Sequence, residues 1–93
     1  MSIELATTVV RTEGAMSAPV DNEIVILNMK GNNYISLDPI GRRIWELIET
    51  PVVVGELCGR LGQEFAGPPE QIMADVLTFL EELEREGLVR VAE

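Results

Sequence analysis

The stretch from Tyr34 to Ile48 constrains the fold most, because its hydrophobic period changes halfway along. Up to Leu37 successive residues alternate between two faces, which predicts a strand. From Asp38 onward the apolar residues recur every three or four positions, which predicts a helix. Asp38 is a favourable helix N-cap, and Pro39 suits the first helical position. The sequence therefore predicts a strand that leads directly into a helix.

This first helix has one apolar and one charged face. Thr50-Pro51 is expected to end it, because the residue before a proline avoids the α region. Arg42 and Arg43 lie on the charged face, either in solvent or against an acidic partner. Trp45 lies on the apolar face and is expected in the core. The apolar stripe consists of Ile40, Ile44, Trp45, Leu47 and Ile48.

Three segments in the first third of the chain predict strands of a small antiparallel meander. Ile3–Arg11 alternates, with Ile3, Leu5, Thr7 and Val9 on one face, and its Thr and Val residues are strand formers. Glu23–Lys30 is apolar on both faces. Two apolar faces indicate a strand covered on both sides, or one with a face left for a partner. Lys30–Asn33 has the glycine and asparagines of a hairpin turn, which leads into the third strand, Asn33–Leu37. Residues 12–21 predict a loop, because glycine, serine and proline interrupt them.

The rest of the chain predicts two more helices and a short strand. Val54–Phe65 is the second helix, although three glycines weaken it. The third begins at Pro68-Pro69 and ends at Gly87, a residue type typical of the position after a helix. Leu88–Glu93 is the terminal strand. The predicted fold class is α+β, with a three-stranded antiparallel sheet and a three-helix bundle like a winged helix-turn-helix, in one domain over residues 1–93.

The charge of the chain argues against several classes of partner. The chain has seven basic and sixteen acidic residues, which gives a net charge of -9. Nucleic acids and anionic membranes are bound mainly through Lys and Arg, so neither is an expected partner. No apolar run is long enough to span a bilayer, and the first residues do not resemble a secretory signal. We expect a cytoplasmic protein.

Residues suited to catalysis are scarce. The chain has no histidine, so Ser-His and Cys-His pairs are impossible and the common zinc ligand sets are missing. Cys58 lies mid-helix on an apolar face and is expected to be a small buried residue. No glycine-rich phosphate loop occurs. We therefore expect a protein that is not an enzyme and holds neither a metal nor a cofactor.

The third helix has an unusually wide apolar face. At 100° per residue its apolar positions span an arc of about 160°, whereas a surface helix needs roughly 100°. The excess indicates either a helix packed on two sides or an apolar groove beside it. Such a groove next to a strand edge is a known way to hold an extended peptide. The arc consists of Phe79, Ile72, Leu83, Val76, Leu80, Met73 and Leu77.

Two parts of the sequence together resemble the PqqD-like family, which comprises small leader-recognition domains of ribosomally made peptide natural products. One is the run from Ala74 to Val89, with its terminal Gly-Leu-Val. The resemblance covers Ile3 to Val91 and is strongest to the stand-alone recognition proteins of lasso-peptide pathways. The other part contains Gly31, Tyr34, Leu37-Asp38, Gly41, Ile44-Trp45 and Leu47.

The resemblance implies a binding function without chemistry. A leader peptide would add as a strand along the edge Asn33–Leu37 and lie against the third helix. It would then be presented to a separate leader peptidase and a cyclase. Asp75, at the edge of the apolar arc, would pair with the leader or remain a solvated acid. The implied binding residues are Asn33, Tyr34, Ile35, Ser36, Leu37, Asp75, Val76, Phe79, Leu80 and Leu83.

Two alternatives remain open at the level of sequence. One is a winged-helix transcription regulator, against which the acidic third helix argues. The other is a PqqD-type peptide chaperone of another peptide or cofactor pathway, such as that of pyrroloquinoline quinone. One departure from the family pattern concerns the second helix, because Pro51–Val54 offers no capping Ser or Thr.

Overall fold

The computed structural model describes residues 3–13, 15–21, 23–28 and 33–92. Within them the chain forms six short strands and three helices, which agrees with the predicted α+β class. None of the described helices is long and apolar enough to cross a membrane. The elements are β1 (Thr8–Arg11), β2 (Met16–Val20), β3 (Glu23–Asn28), β4 (Asn33–Leu37), α1 (Pro39–Leu47), β5 (Val52–Val53), α2 (Val54–Glu64), α3 (Pro69–Arg85) and β6 (Val89–Val91).

The strands form two antiparallel sheets of three strands each, in the orders β5-β1-β6 and β2-β3-β4. The predicted meander of the segments 3–11, 23–30 and 33–37 is therefore wrong in its first strand. That strand is shortened to β1, which pairs with β5 and β6 and not with β3. Both partners lie far along the chain, and alternation within a segment carries no information about such distant pairing.

The segment 12–21 is not the predicted loop, because β2 occupies most of it. β2 pairs with β3 over its whole length and forms one edge of the second sheet. Pro19 is compatible with this place, since proline is tolerated on edge strands. The predicted hairpin turn over residues 30–33, with Gly31, lies outside the described residues apart from Asn33, which begins β4.

The predicted start of α1 is confirmed. The Asp38 carboxylate accepts a hydrogen bond of 2.7 Å from the Gly41 backbone N–H, and Pro39 begins the helix. Ile44 and Trp45 are buried in the core, as their place on the apolar stripe predicts. The helix ends at Leu47, before Pro51.

The start of α2 explains how this helix forms without a capping hydroxyl. The backbone N–H groups of Val54 and Gly55 donate to the carbonyl oxygens of Thr7 and Leu5, each at 2.9 Å. The N-terminal segment thus satisfies donors that a Ser or Thr side chain would otherwise bind. The predicted second helix is confirmed. The groups that cap it come from a segment distant in sequence.

The core lies between the two sheets and the three helices. α3 supplies four buried side chains to it, and Gly87 follows the helix with a φ of 76° that favours glycine. On the surface, the Arg43 guanidinium on α1 binds the Glu64 carboxylate on α2 through two hydrogen bonds of 2.7 and 3.1 Å. This pairing lowers the pKa of Glu64 and raises that of Arg43. The pair links the middle of α1 to the last residue of α2.

Candidate peptide-binding site

β4 has one free side. It pairs with β3 along its whole length, from Asn33 opposite Asn28 to Leu37 opposite Ile24. On its other side no strand of the described residues is present. An edge strand presents backbone N–H and C=O groups without ladder partners, and another polypeptide in extended form satisfies them. β4 therefore has the chemistry required for strand addition.

The side chains of β4 alternate between two environments, as predicted. Leu37 is buried and Ile35 is half-buried, so this set faces the core. Tyr34 is 67% exposed and Ser36 is also exposed, so that set faces solvent. The Tyr34 side chain therefore lies on the surface of the sheet. A strand added to β4 would have the same alternation, with half of its side chains turned inward and half outward.

An apolar junction lies where β4 enters α1 and meets α3. A methyl group placed on Gly41 would lie 3.5 Å from Cζ of Phe79 and 3.6 Å from Cδ2 of Leu37. Both distances are ordinary van der Waals contacts, so Gly41 lies between Phe79 and the end of β4. The atom that a side chain at Gly41 would crowd is Oδ1 of Asp38, which would be 3.1 Å away. Sequence reasoning missed this role of Gly41, although a glycine directly after a favourable helix start was a usable signal.

The predicted wall on α3 divides into two groups. Val76, Leu80 and Leu83 have 0% exposure and belong to the core. Phe79 is half-buried, and Asp75 is exposed and accepts a 2.9 Å hydrogen bond from the Gln71 amide. Only Phe79 and Asp75 of these five residues thus present surface, and of the two Phe79 lies against Gly41, just after the end of β4. The wide apolar arc of the helix is explained mainly by core packing.

The end of β4 also borders a cavity of about 400 Å³. Its apolar side is formed by Leu37 and Pro39. Nearby, the Ser36 hydroxyl donates a 3.0 Å hydrogen bond to the Glu23 carboxylate on β3. The cavity is lined by Glu23, Leu37, Asp38, Pro39 and Arg42.

Groups suited to metal binding or nucleophilic chemistry are not assembled in the described part of the chain. No group of three or more Cys, Asp and Glu side chains there is placed to hold a metal ion. Burial raises the pKa of the Cys58 thiol, which disfavours the reactive thiolate.

Two solved structures have similar folds. TbiB1 in complex with the TbiA(beta) leader peptide is 27% identical, with a TM-score of 0.70, over 87% of this chain and 94% of that one. The solution NMR structure of the PqqD truncation of Methylobacterium extorquens PqqCD is described as a functional, stand-alone RiPP recognition element. It is 20% identical, with a TM-score of 0.79, over 96% of this chain and 95% of that one.

A comparison with protein families gives the assignment. No match was found among curated proteins. The family model of PqqD, described as coenzyme PQQ synthesis protein D, matches residues 23–89. The match includes β3, β4 and all three helices, and therefore every element that forms the junction around Gly41. Because it covers well over half of the 93 residues, the chain belongs to the PqqD family.

Proposed function

We propose that this protein is a non-catalytic, stand-alone RiPP recognition element that binds the leader region of a precursor peptide. The leader adds to the free edge of β4 as a further strand of the sheet β2-β3-β4. The whole chain acts as one recognition domain. The likeness to TbiB1, whose structure contains a bound leader peptide, supports this function.

The observation that carries the proposal is the free edge of β4 beside the apolar junction. Backbone hydrogen bonds along Asn33–Leu37 supply affinity that does not depend on the leader sequence. Selectivity comes from the side chains that turn inward, which meet Leu37 and the half-buried ring of Phe79. A leader with apolar residues at alternate positions fits this arrangement.

The residues of α3 contribute in different ways. Phe79 contacts the inward side chains of the leader, and exposed Asp75 pairs with a leader cation or amide. Val76, Leu80 and Leu83 belong to the binding wall as its buried support, since they have no exposed surface in the free protein. The edge residues Asn33, Tyr34, Ile35, Ser36 and Leu37 complete the proposed site.

For the pathway we propose lasso-peptide biosynthesis in the cytoplasm. The resemblance of the segment around Ile44-Trp45 to stand-alone lasso recognition proteins supports this assignment. In such a pathway the bound precursor is handed to a leader peptidase and a cyclase. A PqqD-type chaperone of another pathway uses the same edge, so only the identity of the peptide separates the two. The net charge of -9 argues against the alternative of a winged-helix transcription regulator, because DNA binding relies on basic side chains.

A calorimetric titration with the leader peptide encoded beside this chain tests the proposal. We expect one leader to bind per chain with a micromolar or lower Kd, and a scrambled leader of the same composition to bind at least a hundredfold more weakly. A lasso leader and a leader from a cofactor pathway, compared at equal concentration, test the pathway. Equal affinity for the scrambled peptide would contradict sequence-selective leader binding.

A further inference from the structure

The side of the sheet β2-β3-β4 that faces solvent carries a single charge among its described residues. We call it the outer side, and its charged residue is Glu23. Its neighbours are largely apolar, and two of them, Met16 and Tyr34, are 56% and 67% exposed. A leader strand on β4 would therefore meet one charge on this side, and that charge is negative. The outer side consists of Met16, Ala18, Val20, Glu23, Val25, Leu27, Tyr34 and Ser36.

The Glu23 carboxylate contacts the strand that has the free edge. Ser36 on β4 is paired with Val25, and Glu23 lies two residues before Val25 on β3. Glu23 and Ser36 are thus diagonal neighbours, whose Cβ atoms in a sheet are about 7 to 8 Å apart. The Ser36 hydroxyl donates a 3.0 Å hydrogen bond to Oε2 of Glu23 and bridges this gap. The carboxylate is therefore turned toward β4.

Glu23 has no cationic partner within the described part of the chain. It lines the cavity of about 400 Å³ together with Asp38 and Arg42. The Arg42 guanidinium pairs with the Glu46 carboxylate at 3.9 Å, so its charge is shared. Two carboxylates thus meet one guanidinium that is already partly neutralised. The charge of this cavity is complementary to a cation.

A leader residue beside Ser36 comes within reach of the Glu23 carboxylate. Residues directly opposite one another on neighbouring strands share a face, with Cβ atoms about 5 Å apart. The carboxylate lies 3.0 Å from the Ser36 hydroxyl, and the flexible four-carbon stem of a lysine, or the side chain of an arginine, spans the remaining distance. Leu37 and Pro39 give the cavity an apolar side on which such a stem packs.

We infer that Glu23 selects a leader with a lysine or an arginine at the outward position beside Ser36. This inference rests on the proposed function, and it adds a requirement on the outward side chains of the leader to the apolar inward ones. The cation binds the Glu23 carboxylate, and Tyr34, two residues earlier on β4, packs against the next outward residue. The preferred leader thus has a cation and an apolar residue two positions apart.

Charge reversal tests the inference. In variants of the leader encoded beside this chain, lysine and glutamate replace each residue in turn, and the Kd is measured by calorimetry. We expect one position at which the lysine peptide binds about fivefold more tightly than the glutamate peptide, because an exposed ion pair contributes modestly. Glu23→Gln, which keeps an acceptor for Ser36, should abolish this preference, and Glu23→Lys should reverse it. The matched control is Glu56→Gln on α2, which removes an exposed negative charge outside the proposed site and should retain the preference.

Three outcomes would overturn the inference. One is the absence of any leader position whose preference changes in the Glu23 variants. Another is an equal loss of preference in Glu23→Gln and Glu56→Gln, which would assign it to the overall charge of the chain. The third is a preference that Asp75→Asn removes and Glu23→Gln retains, which would place the cation on α3. Failure of the unmodified protein to bind the unmodified leader would instead contradict the proposed function.

Discussion

The two edges of the sheet β2-β3-β4 differ in ways that bear directly on function. β2 forms one edge and contains Pro19, which has no N–H and cannot donate to an added strand. β4 forms the other edge, contains no proline and continues directly into α1. Proline on an edge is a common way to prevent unwanted strand pairing. The sheet thus has one blunted edge and one edge that is able to accept a strand.

The surfaces beneath the two edges differ as well. On the β2 side a cavity of about 230 Å³ is lined by Ser17, Ile24 and Trp45 together with two ion pairs. Those pairs are Arg11 with Glu49 at 3.4 Å and Arg42 with Glu46 at 3.9 Å. On the β4 side Leu37 and Phe79 form an apolar surface around Gly41, and the charged groups Glu23, Asp38 and Arg42 line the cavity at the end of the strand. An extended peptide with apolar side chains is therefore expected to prefer the β4 edge.

The largest effect is expected from proline on the β4 edge. Neighbouring residues of a strand direct their N–H groups to opposite sides. Of Ile35→Pro and Ser36→Pro, one therefore removes a hydrogen bond to β3 and the other removes only an outward donor. The outward variant should remain folded by circular dichroism and lose leader affinity at least a hundredfold in a titration. Full affinity in a folded proline variant would contradict strand addition at β4.

A smaller effect is expected at the apolar junction. Phe79→Ala should weaken leader binding about tenfold, or about 1.4 kcal/mol, because the inward side chains of the leader lose an apolar contact. Thermal unfolding should shift only modestly, since the Phe79 side chain is half-buried.

The matched variant is Leu80→Glu on the same helix. Leu80 has 0% exposure, and a charge there should lower the free energy of unfolding by more than about 3 kcal/mol. Equal destabilisation by Phe79→Ala and Leu80→Glu would assign Phe79 to the core and remove it from the binding site.

Salt should have a still smaller effect. Leader binding at β4 rests on backbone hydrogen bonds and apolar contacts, which are screened little by ions. We expect the Kd to change less than threefold between about 50 and 200 mM salt. A steep loss of affinity in this range would indicate that the acidic surface, including Asp75, drives recognition.

The smallest effect is expected when the proline on the β2 edge is replaced. Pro19→Thr restores an N–H on β2, yet the charged cavity beside it remains unsuited to apolar side chains. Calorimetry should therefore give one leader per chain and an affinity within twofold of the original. A second equivalent of bound leader would mean that Pro19 alone distinguishes the two edges.

Local signals in the sequence were sufficient to predict the three helices and β4. Asp38 followed by Pro39 indicated the start of α1, and Gly87 indicated the end of α3, because both signals act within a few residues. The pairing of β1 with β5 and β6 was missed, since it joins segments more than forty residues apart. β2 was missed because Pro19 is a breaker in a central strand but is tolerated at an edge.

The site was harder to predict than the fold. The edge Asn33–Leu37 came from the family resemblance, and the structure places it at a free side of the sheet. Periodicity alone did not separate half-buried Phe79 from fully buried Val76, Leu80 and Leu83, because all four lie within one arc of α3. That distinction depends on how far neighbouring elements cover the helix, which is a property of the tertiary packing.

Amide hydrogen exchange by NMR, with and without the leader peptide, tests strand addition most directly. The outward N–H groups of Asn33–Leu37 should exchange at least tenfold more slowly when the leader is bound, while those of Met16–Val20 should keep their rates. Unchanged exchange along β4, or slower exchange along β2 in its place, would contradict the account.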